Sequence, residues 1–266
     1  MKDRLSASQS AYRAGDVDAV KRAHTKAAIA HSIESHQTSG SYVGDFVYGA
    51  MDGSVTTFAV VSGVAGAGLP SGIVIILGLA NLFADGFSMA VGNYLSTKSR
   101  NEFIENERRR EKWEVEHYPE GEVEEIRQIF LKKGFRGRAL EDAVKVITSD
   151  KKVWVETMMT EELGIIKERN SPVKKGLVTF VSFGLVGFVP LVPYFLAFFS
   201  GIVAASVFAI SVAVTFITFF LVGSAKIYVT GRNWFFSGLE TLLIGGLAAA
   251  IAYAVGFLLR GLAGGI

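Results

Sequence analysis

Apolar residues along this chain gather into long runs rather than recurring at a steady helical or alternating period, which predicts membrane-spanning helices before a soluble core. Gly176 to Ala225 contains no Asp, Glu, Lys or Arg. About 20 apolar residues suffice for a helix to cross the hydrocarbon layer, so this stretch holds two spans and a turn. Gly53 to Ala84 is also uncharged, and Gly66-Ala67-Gly68-Leu69-Pro70 marks a tight turn within it. Trp234 to Leu259 contains only Glu240. The pattern predicts five spans, roughly 43–67, 71–96, 175–197, 201–222 and 235–259.

From Thr97 to Pro172 the chain turns charged and helical, with breaks at Tyr118-Pro119-Glu120-Gly121, Gly134 and Ser149-Asp150. Helices are expected over about 97–117, 121–133, 137–148 and 151–168, the first continuing the second span because nothing between Met89 and Trp113 stops it. Residues 1–40 read as a tail with a surface helix from Ala11 to Ala30 followed by a loop. The expected architecture is all-α: an integral membrane protein of five transmembrane helices, with a helical domain inserted between the second and third. Its regions are 1–40 (tail), 41–96 (spans one and two), 97–172 (inserted domain) and 173–266 (spans three to five).

Charge placement sets an expected orientation. The tail, the 97–175 segment and the loop carrying Lys226 and Arg232 hold 26 of the 27 Lys and Arg residues, leaving Arg260 on the other side. Basic loops stay cytoplasmic, which puts the N-terminus and the inserted domain in the cytosol and the C-terminus across the membrane. The tail lacks an apolar stretch of its own, so no cleavable signal peptide is expected. The chain has no cysteine, so a metal would be held by carboxylate, imidazole, thioether or backbone oxygen. A net charge of +2 does not point to a nucleic-acid partner.

Two sets of residues carry candidate chemistry. In the inserted domain Glu111 and Glu114, and then Glu122 and Glu125, are three apart and share a helix face. The short turn through Pro119 and Gly121 folds the pairs toward each other, gathering carboxylates that repel unless cations lie between them. Met158, Met159 and Glu162 fall on adjoining faces of a later helix, and thioether with carboxylate suits softer divalent ions such as ferrous iron over magnesium or calcium. Glutamates at helical spacing also suit a solvated face, the reading for Glu102, Glu105, Glu107, Glu116 and Glu124, and a Met pair also suits core packing. In the membrane, Asp45 and Asp52 lie seven apart in the first span and Asp85 sits in the second. A carboxylate at the bilayer centre costs roughly 2.5–3.5 kcal/mol on insertion scales and so faces protein or water. Asn81, Asp85, Met89 and Asn93 recur every four residues, one stripe of oxygen and sulfur donors. Interfacial placement of Asp45, and helix-packing roles for Asp85 and Glu240, are the bland alternatives.

The run His31-Ser-Ile-Glu-Ser-His36, then Gly44-Asp45 and Met51-Asp52-Gly53-Ser-Val-Thr-Thr-Phe58, resembles the opening of the vacuolar iron transporter family. Ala84-Asp85-Gly-Phe-Ser-Met89-Ala-Val-Gly-Asn-Tyr94-Leu-Ser-Thr-Lys-Ser99 is similar to its second helix, and the likeness covers about residues 31–260. The resemblance implies homodimers with five spans per subunit, exchange of ferrous iron for protons, and a cytoplasmic metal-binding domain between spans two and three. It implies membrane roles for Asp45, Asp52 and Met89, and metal ligation by Glu111, Glu114, Glu122, Glu125, Met158, Met159 and Glu162. Glu102 and Glu105 are nearby acidic positions without a place among the ligands. Asn81 stands where the resemblance leads one to expect a glutamate, and Asp85, one turn along, is the candidate to take over that charge.

The sequence therefore predicts a transporter, not an enzyme, since no nucleophile and base pairing, phosphate loop or HExxH helix is present. The expected substrate is ferrous iron or a similar divalent transition metal, exported in exchange for protons, with no cofactor. Manganese, cobalt or zinc export, or a membrane-anchored iron buffer or sensor, are the alternatives. The expected membrane is the inner membrane of a bacterium or a vacuole-like organelle.

Overall fold

The computed structural model describes residues 4–26, 29, 39–166, 170–200, 204–227 and 233–263, which form helices and turns with no strand among them. Contacts divide the chain into two units, Met1–Gly40 and Ser41–Ile266. In the first, α1 (Arg4–Ala14) and α2 (Val17–Ala23) replace the single helix expected from Ala11 to Ala30. Gly15 takes a left-handed φ of 65° and Asp16 caps α2, its side chain accepting from the Ala19 N–H at 2.8 Å. His31 to His36, the start of the family-like motif, lies outside the described residues, as do 201–203 and Arg232.

The second unit opens with α3 (Ser39–Ala67) and α4 (Ser71–His117), separated by Gly68 at φ 71° and Pro70. The expected continuity is found: α4 runs unbroken for 47 residues, from the apolar stretch into the charged one. Then come α5 (Pro119–Lys132), α6 (Gly137–Thr148) and α7 (Lys151–Thr157). The helix expected over 151–168 stops early, because α7 widens at Met158–Glu162 into a π turn and Gly164 reverses the chain at φ 65°. The chain returns through α8 (Pro172–Gly187), a 3₁₀ turn (Val189–Leu191) and α9 (Val192–Ser200), so this apolar stretch is interrupted at Pro190 and Pro193 as their rings require. The Ser211 hydroxyl donates to the Pro190 carbonyl at 2.7 Å inside the core. Helices α10 (Ala204–Ala225), α11 (Trp234–Leu258) and α12 (Arg260–Ala263) complete the described chain.

Among the described residues, four helical stretches are long and apolar enough to cross a membrane: α4, Pro172–Phe199, Ser206–Ala225 and α11. Helix α3 is not among them, although it is 29 residues long. Two aspartates and many Gly, Ser and Thr lower its apolarity, a composition tolerated where protein covers the helix. That cover is present. A Cβ on Gly187 of α8 would stand 2.7 Å from the Gly53 carbonyl oxygen of α3, and a Cβ on Gly66 would meet the Tyr253 backbone of α11. Only glycine permits such approaches.

Two hydrophobic cores form within this unit. One joins α3, α4, α8, α10 and α11 through Phe58, Val61, Val74, Leu82, Phe183 and Phe219. Around it, large apolar residues such as Phe87, Leu177, Leu185, Leu221 and Leu247 are exposed, the surface that lipid rather than water accommodates. The other core belongs to the inserted helices and contains Ile104, Val115, Ile126, Leu140, Val144, Trp154, Met158 and Met159.

Candidate metal centre

The acidic cluster is built by the turn between α4 and α5. Tyr118 ends one helix, its N–H bonding the Glu114 carbonyl at 2.7 Å, and Pro119 opens the next at a position where its missing N–H is harmless. The Tyr118 ring packs over Gly121 so closely that any Cβ there would collide with it. This reversal sets the last turns of α4, with Glu111 and Glu114, against the first turns of α5, with Glu122 and Glu125. The π turn adds Glu162.

Glu111 and Glu122 are buried, 2% and 5% exposed, while Glu114 is half-buried and Glu125 and Glu162 are exposed. Burial first, then the charges of Glu162 and Glu114, pushes the Glu111 carboxyl up to about 7 against the pull of Arg110. Burial, followed by Glu125, Glu111, Glu114 and Glu162, pushes Glu122 up to about 7. Glu162 is raised as well, by burial and then by Glu125, with Glu114 adding and Arg110 opposing. Glu111, Glu122 and Glu162 are thus each raised by other carboxylates of this group. Arg110 balances them in part, its Nη2 lying 3.0 Å from Glu111 Oε1 and 2.9 Å from Glu107 Oε2. Glu122 Oε2 is buried with no hydrogen-bond partner. Met158 and Met159 are core residues, 0% and 1% exposed. Among the described residues no three His, Asp or Glu side chains close into a group that could hold a metal ion.

The second set lies where α3, α4 and α8 meet. Asn93 of α4 donates from Nδ2 to Asp45 Oδ1 at 2.9 Å and to the Thr179 hydroxyl at 2.8 Å. Lys175 Nζ lies 3.6 Å from the same Asp45 oxygen. Deeper along α3 lies Asp52, and on α4 lies Asp85, both half-buried. The Thr56 hydroxyl donates to the Asp52 carbonyl at 2.8 Å and accepts from Asn81 Nδ2 at 3.4 Å. Asn81 therefore ties α4 to α3 one turn past Asp52. Met89 packs against the larger core, and Glu240 is exposed. The stripe on α4 is brought together with both aspartates of α3. Sequence reasoning missed Lys175 and Thr179. Lys175 was visible only as loop charge just before the uncharged stretch, and Thr179 carried no signal.

A profile of the VIT family matches residues 43–257, which contain both sets of carboxylates. This chain belongs to the VIT family. It is 36% identical to a vacuolar iron transporter of Toxoplasma gondii over 96% of this chain and 88% of the relative. It is 33% identical to one of Plasmodium berghei over 97% of both chains, and 34% identical to vacuolar iron transporter 1 of Oryza sativa subsp. japonica over 85% and 88%. It is a multi-pass membrane protein, and the expected likeness is borne out over nearly its whole length.

Proposed function

We propose that this protein transports ferrous iron, or a similar divalent transition metal, out of the cytosol in exchange for protons. One observation carries the reading: a single helix, α4, bears carboxylates of a crowded acidic cluster at one end and Asp85 within its apolar part. The relatives' names, vacuolar iron transporter, supply the metal.

In this reading α3 is the fifth span, its polar composition sheltered by α8 and α11. The tail and the 97–172 domain lie in the cytosol and the C-terminus lies opposite. Glu111, Glu114, Glu122, Glu125 and Glu162 gather metal over the wall formed by Met158 and Met159, whose thioethers become ligands as the carboxylates close. The ion passes Asp45, then Asp52, Asp85 and Met89. Protons return over the same carboxylates, so the two ions are coupled by competition. A homodimer gives the carboxylates of α3 a protein-lined surface. Manganese, cobalt or zinc would be accepted by the same donors. A buffer or sensor has no use for aspartates inside the apolar helices.

The deciding experiment is uptake into sealed proteoliposomes under an imposed pH gradient, comparing ferrous iron with manganese, cobalt and zinc. Iron uptake that grows with the gradient is expected. Uptake of none of the four ions would overturn the reading.

A further inference from the structure

We infer that Lys175 is a tethered cation that occupies Asp45 until a divalent ion displaces it, making it a residue that sets selectivity at the entrance to the path. The inference rests on the transport reading above. Lys175 and Asp45 are largely buried, with side chains 19% and 12% exposed. Their separation of 3.6 Å is beyond an ordinary hydrogen bond, and a charge-assisted contact between ammonium and carboxylate normally closes to about 2.7–2.9 Å. The nearer Asp45 oxygen is held instead by the neutral Asn93 amide. The other oxygen, Oδ2, is buried without any hydrogen-bond partner. A purely structural ion pair would satisfy that oxygen, because an unmet buried acceptor is costly. Here a carboxylate keeps an unmet oxygen while a cation waits just outside bonding range.

The lysine is itself anchored. Its backbone carbonyl accepts from the Thr179 hydroxyl at 3.0 Å, and that hydroxyl also receives Asn93. Asp45, Asn93, Thr179 and Lys175 thus form one network across three helices. A dication gains twice the Coulomb energy of an ammonium at equal distance. A potassium or sodium ion gains no more than the lysine already has, and it gives up translational freedom that the tethered group does not. The arrangement admits divalent ions and turns monovalent ones away.

The test uses the full-length protein in proteoliposomes, with ferrous iron as the probe and a large excess of potassium as competitor. Lys175→Gln is expected to lower the half-saturating iron concentration by about threefold or more, the scale of a partly buried ion-pair coupling. Potassium should inhibit the variant and not the wild type, and Lys175→Arg should restore resistance to potassium. In an Asp45→Asn background Lys175→Gln should add nothing. An active Lys175→Gln protein with unchanged or raised half-saturation and no potassium inhibition would overturn the inference. So would a shift that persists without Asp45. Should Lys175→Gln fail to fold, Lys175→Met removes the charge while keeping the stem. Failure of both, with Lys175→Arg intact, makes the lysine a structural partner and also overturns the inference. Wild-type protein that moves no iron would instead overturn the transport reading itself.

Discussion

Across the Tyr118 turn the charge of Glu111 helps raise the Glu122 carboxyl, and burial first, then acidic neighbours, brings both Glu111 and Glu122 up to about 7. An acid whose folded pKa is raised favours folding when protonated. Its contribution is complete below the unfolded value of about 4.5 and is lost as pH rises to about 7. Chelator-treated full-length protein should therefore lose stability across that window. Glu111→Gln together with Glu122→Gln should flatten the loss and stabilise the chelated protein above pH 7, on the order of 1 kcal/mol or more. Thermal melts between pH 4.5 and 8 check this, and an unchanged slope would refute it.

Divalent transition ions should reverse that trend, because a cation among the carboxylates replaces their protons. Glu111→Ala with Glu114→Ala should weaken ferrous or manganous binding by at least about tenfold, roughly 1.4 kcal/mol, with helix content unchanged. Trp154, buried in the same small core as Met158 and Met159, offers a fluorescence readout. Magnesium should bind little in either protein.

Asp52 should be the deeper carboxylate of the path, seven residues or ~10 Å beyond Asp45 along α3. Asp52→Asn keeps size and an oxygen donor but removes charge. Metal flux under a pH gradient should fall to near background while metal binding by the inserted helices persists. Wild-type flux with the same pH dependence would show the path to run elsewhere.

The crossing of α3 and α8 should tolerate no added methyl group. A Cβ on Gly53 would enter the Phe183 backbone, and one on Gly187 would press on Gly53 and Leu82. Gly53→Ala or Gly187→Ala is expected to cost about 1–3 kcal/mol, as overpacking does, read as a lowered melting temperature in detergent. A neutral result at both positions would contradict this packing.

The apolar helices were legible because fifty residues from Gly176 to Ala225 carry no charge, a signal set by composition alone. The Glu111/Glu114 and Glu122/Glu125 pairs were legible because a spacing of three fixes a helix face and Pro119 fixes the turn. The π turn at Met158 was not, since an α-helix and a π turn suit the same residues and the choice depends on packing against α4 and α5. Gly15 signalled the break between α1 and α2, but it was passed over within an otherwise helical stretch. A span over 43–67 is expected from the uncharged stretch that begins at Gly53, yet α3 is not among the four apolar helices of the described residues, because two aspartates and many Gly, Ser and Thr dilute its hydropathy. The Asp45, Asn93 and Lys175 network joins residues up to 130 positions apart, and no local pattern encodes such a meeting.

Asn93 and Glu111 both belong to helix α4. They are eighteen residues apart, which at 3.6 residues per turn is about five whole turns, so both point the same way from one rod roughly 27 Å apart. The rod has no proline or break between them. A lever of that stiffness does not absorb a push at one end. On the transport reading, neutralising charge around Glu111 should turn or tilt the rod at Asn93, whose amide holds Asp45 by a single 2.9 Å bond. On the same reading, loading at Glu111 and loosening of Asp45 should be two ends of one movement, and a glycine pair placed midway in the rod should uncouple them.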